Sequence, residues 1–204
     1  MQENSNKSMR FLLILFLFVS QVGVSQLYSD SAYKKVAVYN DLQDALVDSG
    51  SVKKLILKRD KLTIFPMDIL KLTELEYLDL SSNKIDSLPT EINQLKNLRV
   101  LILTRNSLLK FPKEIFELQY LKVLKIGGNE FETIPRGIDS LKVIEEIDLW
   151  NTSINDLPFG IENIKSLKRL DLRGILLNYE KQEEIFELLP NVKVYLSPAC
   201  NCGF

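Results

Sequence analysis

The sequence predicts a solenoid of stacked repeats, and three observations carry that prediction. Prolines at 66, 89, 112, 135 and 158 follow one another at intervals of 23 residues. Aligned on them, apolar side chains recur in phase: Leu75, Leu78, Leu80, Ile85, Leu88, Ile92 and Leu95 in one block are matched by Leu98, Leu101, Leu103, Leu108, Phe111, Ile115 and Leu118 in the next. Within each block a short stretch such as Leu78-Asp79-Leu80 alternates, as a strand with one buried face must, and the remainder wraps around a turn and back. A single block cannot stand alone. Ordering its backbone costs more than its few apolar side chains return, unless neighbouring blocks bury them and pair the strand edges, so stability belongs to the array.

Residues 1–25 read as a secretory signal peptide. Lys7 and Arg10 precede the apolar run Phe11 to Val19, and the small residues Gly23 and Ser25 place cleavage between Ser25 and Gln26. Met9 offers an alternative start. A spanning helix needs about 20 apolar residues, and the uninterrupted run is roughly half that, so no stable membrane insertion is expected after cleavage. No cysteine follows the run to carry a lipid anchor. Residues 26–51 are expected to form an N-terminal linker and a capping helix over the open edge of the first repeat. Val38 to Leu46 is amphipathic, with Asn40 or Asp41 as N-cap and Gly50 near its end.

The repeat region runs over 52–196. Its blocks are 52–74, 75–97, 98–120, 121–143, 144–166 and 167–191, and the clearest reads LEYLDLSSNKIDSLPTEINQLKN over 75–97. The last block lacks the proline punctuation: Glu180 to Leu189 is a helical run, after which Pro190-Asn191 turns into a terminal strand, 192–196, rich in β-favouring residues. Residues 197–204 are expected to be a flexible tail. Cys200 and Cys202 are the only cysteines. Their spacing allows mutual pairing only under strain, and two thiolates fall short of a metal site's ligand set.

The pattern LxxLxLxxN, followed by a leucine, a proline and IxxL, resembles the leucine-rich repeat family over residues 52 to about 196. The resemblance implies an α/β repeat solenoid, a right-handed superhelix with a curved, concave parallel β-sheet of about seven strands. The terminal half-repeat resembles that of bacterial exported members. The ninth position of the blocks holds Asp60, Asn83, Asn106, Asn129, Thr152 and Ile175. An asparagine amide both donates and accepts, and in the family such residues form a structural ladder, here expected at Asn83, Asn106 and Asn129.

Side chains between the buried leucines of each strand point away from the core. Position three of the blocks reads Lys54, Tyr77, Val100, Val123, Glu146 and Arg169; position five reads Ile56, Asp79, Ile102, Lys125, Asp148 and Asp171; position seven reads Lys58, Ser81, Thr104, Gly127, Trp150 and Arg173. The first block is basic, the middle unusually apolar, and the fifth acidic. The β-branched Val100, Ile102 and Val123 suit a strand on propensity alone, whereas an exposed apolar patch marks a contact surface; on the second reading the partner surface is expected at Tyr77, Val100, Ile102, Val123, Lys125, Asp148, Trp150 and Arg173. Trp150 is the only tryptophan, and tryptophan is enriched at interface hot spots. Gly127 and Gly128, one block earlier, are expected to leave a hollow beside its indole; the alternative is that Trp150 folds down over those glycines and shields their backbone.

The function classes that composition excludes are broad. The chain has 26 basic and 27 acidic residues and a net charge of −1, which lacks the footprint of a nucleic-acid binder. It contains no histidine, the commonest general base and metal ligand, and no glycine-rich phosphate loop or cysteine cluster. No enzyme activity, cofactor or metal is expected. Some bacterial relatives carry a ubiquitin-ligase domain beyond the repeats, and none is expected after residue 196. The expected function is a non-catalytic scaffold, secreted or periplasmic, recognising a protein or peptide on its concave face. With residues 1–25 retained, the alternative is an intracellular signalling scaffold resembling members with the same LP-containing repeat.

Overall fold

The computed structural model describes residues 33–199. The expected signal peptide and both cysteines lie outside the described residues. The chain divides into two compact units, residues 1–35 and 36–204, and every repeat belongs to the second.

Among the described residues, seven three-residue strands form one parallel sheet in chain order: β1 (Lys54–Ile56), β2 (Tyr77–Asp79), β3 (Val100–Ile102), β4 (Val123–Lys125), β5 (Glu146–Asp148), β6 (Arg169–Asp171) and β7 (Lys193–Tyr195). The register follows the sequence period. Lys54 pairs with Tyr77, 23 residues on, and Tyr77 with Val100; only the last step, Arg169 to Lys193, is 24. The middle residue of each strand faces the core, and Leu55, Leu78, Leu101, Leu124, Ile147 and Leu170 are fully buried. The fold is thus an α/β repeat solenoid with the expected number of strands.

Between strands the chain returns through 3-10 helices at Met67–Lys71, Thr90–Gln94, Lys113–Glu117, Ile138–Ser140 and Ile161–Asn163. The spacing of the apolar residues selects this helix. Its three residues per turn align side chains at i and i+3, so Ile69, Leu72 and Leu75 all reach the core, each N–H donating to the carbonyl three residues back at 3.0 Å. Pro66, Pro89 and Pro112 stand at the N-caps with φ near −70°, the angle to which the pyrrolidine ring restricts them. Where the chain leaves each strand, the eighth block position is left-handed throughout: Arg59, Ser82, Arg105, Gly128, Asn151 and Gly174 have φ between 49° and 80°. Glycine reaches that region without penalty, whereas Arg59, Ser82 and Arg105 carry strain there.

The expected capping helix is shorter than the run 38–46. Helix α1 covers Leu42–Val47, with Asp41 as N-cap accepting from the Gln43 and Asp44 N–H groups. The preceding residues stay extended because they pair with the sheet: the Tyr39 N–H donates to Lys54, and Ile56 donates back to Tyr39. At the far end, α2 (Tyr179–Leu188) replaces the 3-10 helix and buries Gln182 and Ile185. Gln182 Nε2 donates to the Leu177 and Ser197 carbonyls, and Ser197 Oγ accepts from the Gly174 N–H. Ser197, the first residue of the stretch expected to be a tail, is therefore fastened to the last repeat.

Candidate functional site

The strands present their first and third residues on the outer face of the sheet, opposite the core, and parallel pairing aligns those residues in columns. The apolar column departs from expectation. Tyr77, Val100 and Val123 are only 3–4% exposed, so they do not form the exposed patch read from the sequence. One cause is register: Val100 sits between Tyr77 and Val123 on the adjoining strands, at an inter-strand spacing of about 4.8 Å. Lys54 Nζ also lies 4.7 Å from the Tyr77 ring centre. Of the remaining expected residues, Ile102, Lys125, Asp148 and Trp150 are half-buried and Arg173 is exposed.

The hollow expected beside Trp150 is filled by Trp150 itself. A Cβ added at Gly127 would stand 2.5 Å from Trp150 Cδ1, so only glycine admits the indole there. The ring extends across the fourth repeat's glycines to the third repeat, where the Arg105 guanidinium lies 5.3 Å from its centre. An arginine over an indole face is a cation–π contact. The result is a flat platform, arginine on tryptophan on glycine backbone, fixed at the ends of three adjacent strands.

Beside the platform the outer face is ionic. Glu146 accepts from Arg169 Nε and Nη2 at 2.9 and 2.6 Å and lies 3.5 Å from Lys125 Nζ. Asp171 holds the Arg173 guanidinium through both carboxylate oxygens, Oδ1 accepting from Nε and Oδ2 from Nε and Nη2. Asp148, the in-register neighbour of Asp171, accepts from the Trp150 N–H at 3.0 Å. Its pKa is pushed up to about 6, chiefly by burial and further by Asp171 and Glu146, against the lowering effects of the Trp150 N–H and Lys125. Lys125, Asp148 and Arg173 are among the residues expected from sequence, whereas Glu146, Arg169, Asp171 and Arg105 join the face only in the structure. The missed signal was opposite charge at equal block positions, as at Glu146 and Arg169.

The asparagines lie beneath this face, at the turns. Asn83 Nδ2 donates to the Leu57 and Leu80 carbonyls, and Asn106 Nδ2 to Leu80 and Leu103. Asn129 Nδ2 donates to Leu103 and Ile126, while its Oδ1 accepts from the Asn106 and Leu108 N–H groups. Each amide ties adjacent repeats together. Thr152 reaches only its own repeat, donating to Leu149.

The family model of the leucine-rich repeat region matches residues 60–192, and the chain belongs to the leucine-rich repeat family. A leucine-rich-repeat protein of Leptospira interrogans is 31% identical, with a TM-score of 0.62, over 71% of this chain and 43% of its own. The plant peptide hormone receptor RGFR1, in complex with RGF2, is 26% identical with a TM-score of 0.54, over 69% of this chain and 23% of its own. An internalin of Listeria monocytogenes, 20% identical with a TM-score of 0.57, covers 78% of this chain and 52% of its own and shares the fold. This chain therefore spans about half or less of each of these proteins. Comparison with curated protein sequences gave no match.

Proposed function

We propose that this chain is an exported, non-catalytic scaffold that binds a protein or peptide through the outer face of its sheet, centred on Trp150. The observation that carries this reading is the Arg105–Trp150 platform. It is half-exposed, mounted on short rigid strands, and flanked by Lys125, Asp148 and Arg173. Tryptophan and arginine are the residue types most enriched at interface hot spots. Ile102 adds apolar surface, while Tyr77, Val100 and Val123 support the face from within. The peptide-bound plant receptor is consistent with this reading. Residues 1–25 act as the export signal, 26–51 as linker and cap, 52–196 as the repeats with Ser197 fastened to the last of them, and the residues that follow as the tail.

Two measurements test it. With a partner captured by crosslinking on the native chain, Trp150→Ala should weaken affinity by more than about 2 kcal/mol while shifting the melting temperature little. A large stability loss with unchanged affinity in the folded fraction makes Trp150 structural instead. For export, N-terminal sequencing of natively expressed protein should begin at Gln26, and an intact Met1 or Gln2 start defeats the claim.

A further inference from the structure

We propose that exposed cations of the first three repeats, Lys58, Arg59, Lys61, Lys84 and Arg105, dock a short acidic segment of a protein partner. All five are exposed, and none takes part in an ion pair with a described residue. They share the rim where the chain leaves the strands. Backbone bonds from Arg59 to Ser81, from Ser82 to Thr104, and from Lys84 to Leu62 step along that rim from one repeat to the next, each step about 4.8 Å. Arg59 and Arg105 occupy the same block position two repeats apart, and Lys61 and Lys84 occupy the same position in adjacent repeats. Ser82, Thr104 and Ser107 interleave hydroxyls with the cations, and over block positions seven to ten of these three repeats Asp60 is the single carboxylate, with Asp79 and Asp86 on either side of the second turn.

The extent of the patch selects the occupant. An extended peptide advances about 3.4 Å per residue, so roughly three acidic residues span the distance from Arg59 to Arg105. The row Lys61, Lys84, Ser107 then reaches Glu130, which closes it with the opposite charge. Beyond, Glu180, Glu183, Glu184 and Glu187 are exposed on α2, and the whole chain carries a charge of −1. A surface reaching past three repeats, such as a duplex or an anionic bilayer, would meet repulsion that a short acidic segment avoids. The patch shares Arg105 with the platform, whereas Lys58 and Lys84, the residues varied in the test, lie outside it.

The test uses the full chain and a fluorescently labelled hexaglutamate peptide at low salt. Binding is expected, and Lys58→Glu with Lys84→Glu should weaken it at least tenfold. The control, Lys96→Glu with Lys142→Glu, makes the same change in net charge at exposed lysines elsewhere and should leave binding within twofold. Single Lys84→Glu, with an expected loss of about threefold, stands in should the double variant unfold. Absence of binding, or equal loss in the control, overturns the proposal. Tighter binding of heparin or of phosphatidylserine vesicles than of the peptide overturns it in favour of those polyanions. Salt-sensitive self-association in sedimentation velocity, abolished by the rim variant, reassigns the patch to a second copy of the chain.

Discussion

At the rim where the chain enters the strands, Lys53 and Arg99 lie 3.0 and 3.6 Å from Glu76, and Lys122 and Lys168 lie 3.3 and 2.6 Å from Glu145. At the rim where it leaves them, Lys58, Arg59, Lys61 and Lys84 meet no such carboxylate among the described residues. The same repeat geometry produced both. A column of equal block positions brings residues 23 apart into contact, so what distinguishes the rims is whether an acid occupies every third place in the column. The upstream column reads Lys53, Glu76, Arg99, Lys122, Glu145, Lys168, and each glutamate serves the cation on either side. Downstream, Arg59, Ser82 and Arg105 interpose a hydroxyl instead. One rim ties repeats to each other; the other leaves its charge facing outward.

The largest effect should come from breaking the structure that supports both rims. Leu101 is fully buried at the middle of β3, and Leu101→Asp places an unpaired charge there, costing several kcal/mol. Cooperative thermal unfolding followed by circular dichroism should be lost. If this variant melts like the parent, the inward assignment of the strand's middle residue is wrong and the columns with it.

That assignment was legible in the sequence because the five prolines set the period, and the leucines at the first, fourth and sixth positions set the phase. Exposure was not legible. Alternation says which face Val100 and Val123 occupy but not how much of that face remains open, which depends on neighbours in space. Trp150 shows the same limit: its alignment with Gly127 could be read from the spacing, yet whether the indole stands beside the glycines or lies on them is a rotamer. The left-handed eighth position was hinted at by Gly128, Asn151 and Gly174 and hidden by Arg59, Ser82 and Arg105, which adopt it against their preference. The upstream charge column is legible in the sequence, since Lys53, Glu76, Arg99, Lys122, Glu145 and Lys168 recur at 23-residue intervals.

A middle effect is expected on the face between the rims. Asp148 has its pKa raised to about 6, mainly by burial, so folding favours its protonated form. Its contribution to stability is full below the unfolded carboxylate pKa near 4 and is lost as pH rises through about 6. Asp148→Asn keeps an oxygen to accept the Trp150 N–H and removes the charge. At pH 7.5 it should gain stability, bounded at about 3 kcal/mol by a two-unit shift, and at pH 3.5 the gain should vanish. Melting temperatures of both proteins across that range decide the matter. A variant less stable than the parent at pH 7.5 would show that Lys125 outweighs burial at this site.

The smallest effect separates the rims themselves. Glu145 has its pKa held below the usual carboxylate range, first by its hydrogen bond from Lys168 and then by Lys122, with partial burial opposing. Its contribution is present above the unfolded pKa and is lost as pH falls through the lower, folded value. Because both lysines are largely solvated, the contribution is modest. Glu145→Gln should cost up to about 1 kcal/mol at neutral pH, less in high salt, and nothing once the carboxylate is protonated. Lys84→Ala on the opposite rim should leave the melting temperature within error at every pH, because no partner is lost when it goes. The informative quantity is the difference between the two variants rather than either alone. Equal destabilisation by both at low salt would mean that Lys84 is held by the fold after all, and the contrast between a rim that ties repeats together and a rim left open for a partner would not survive it.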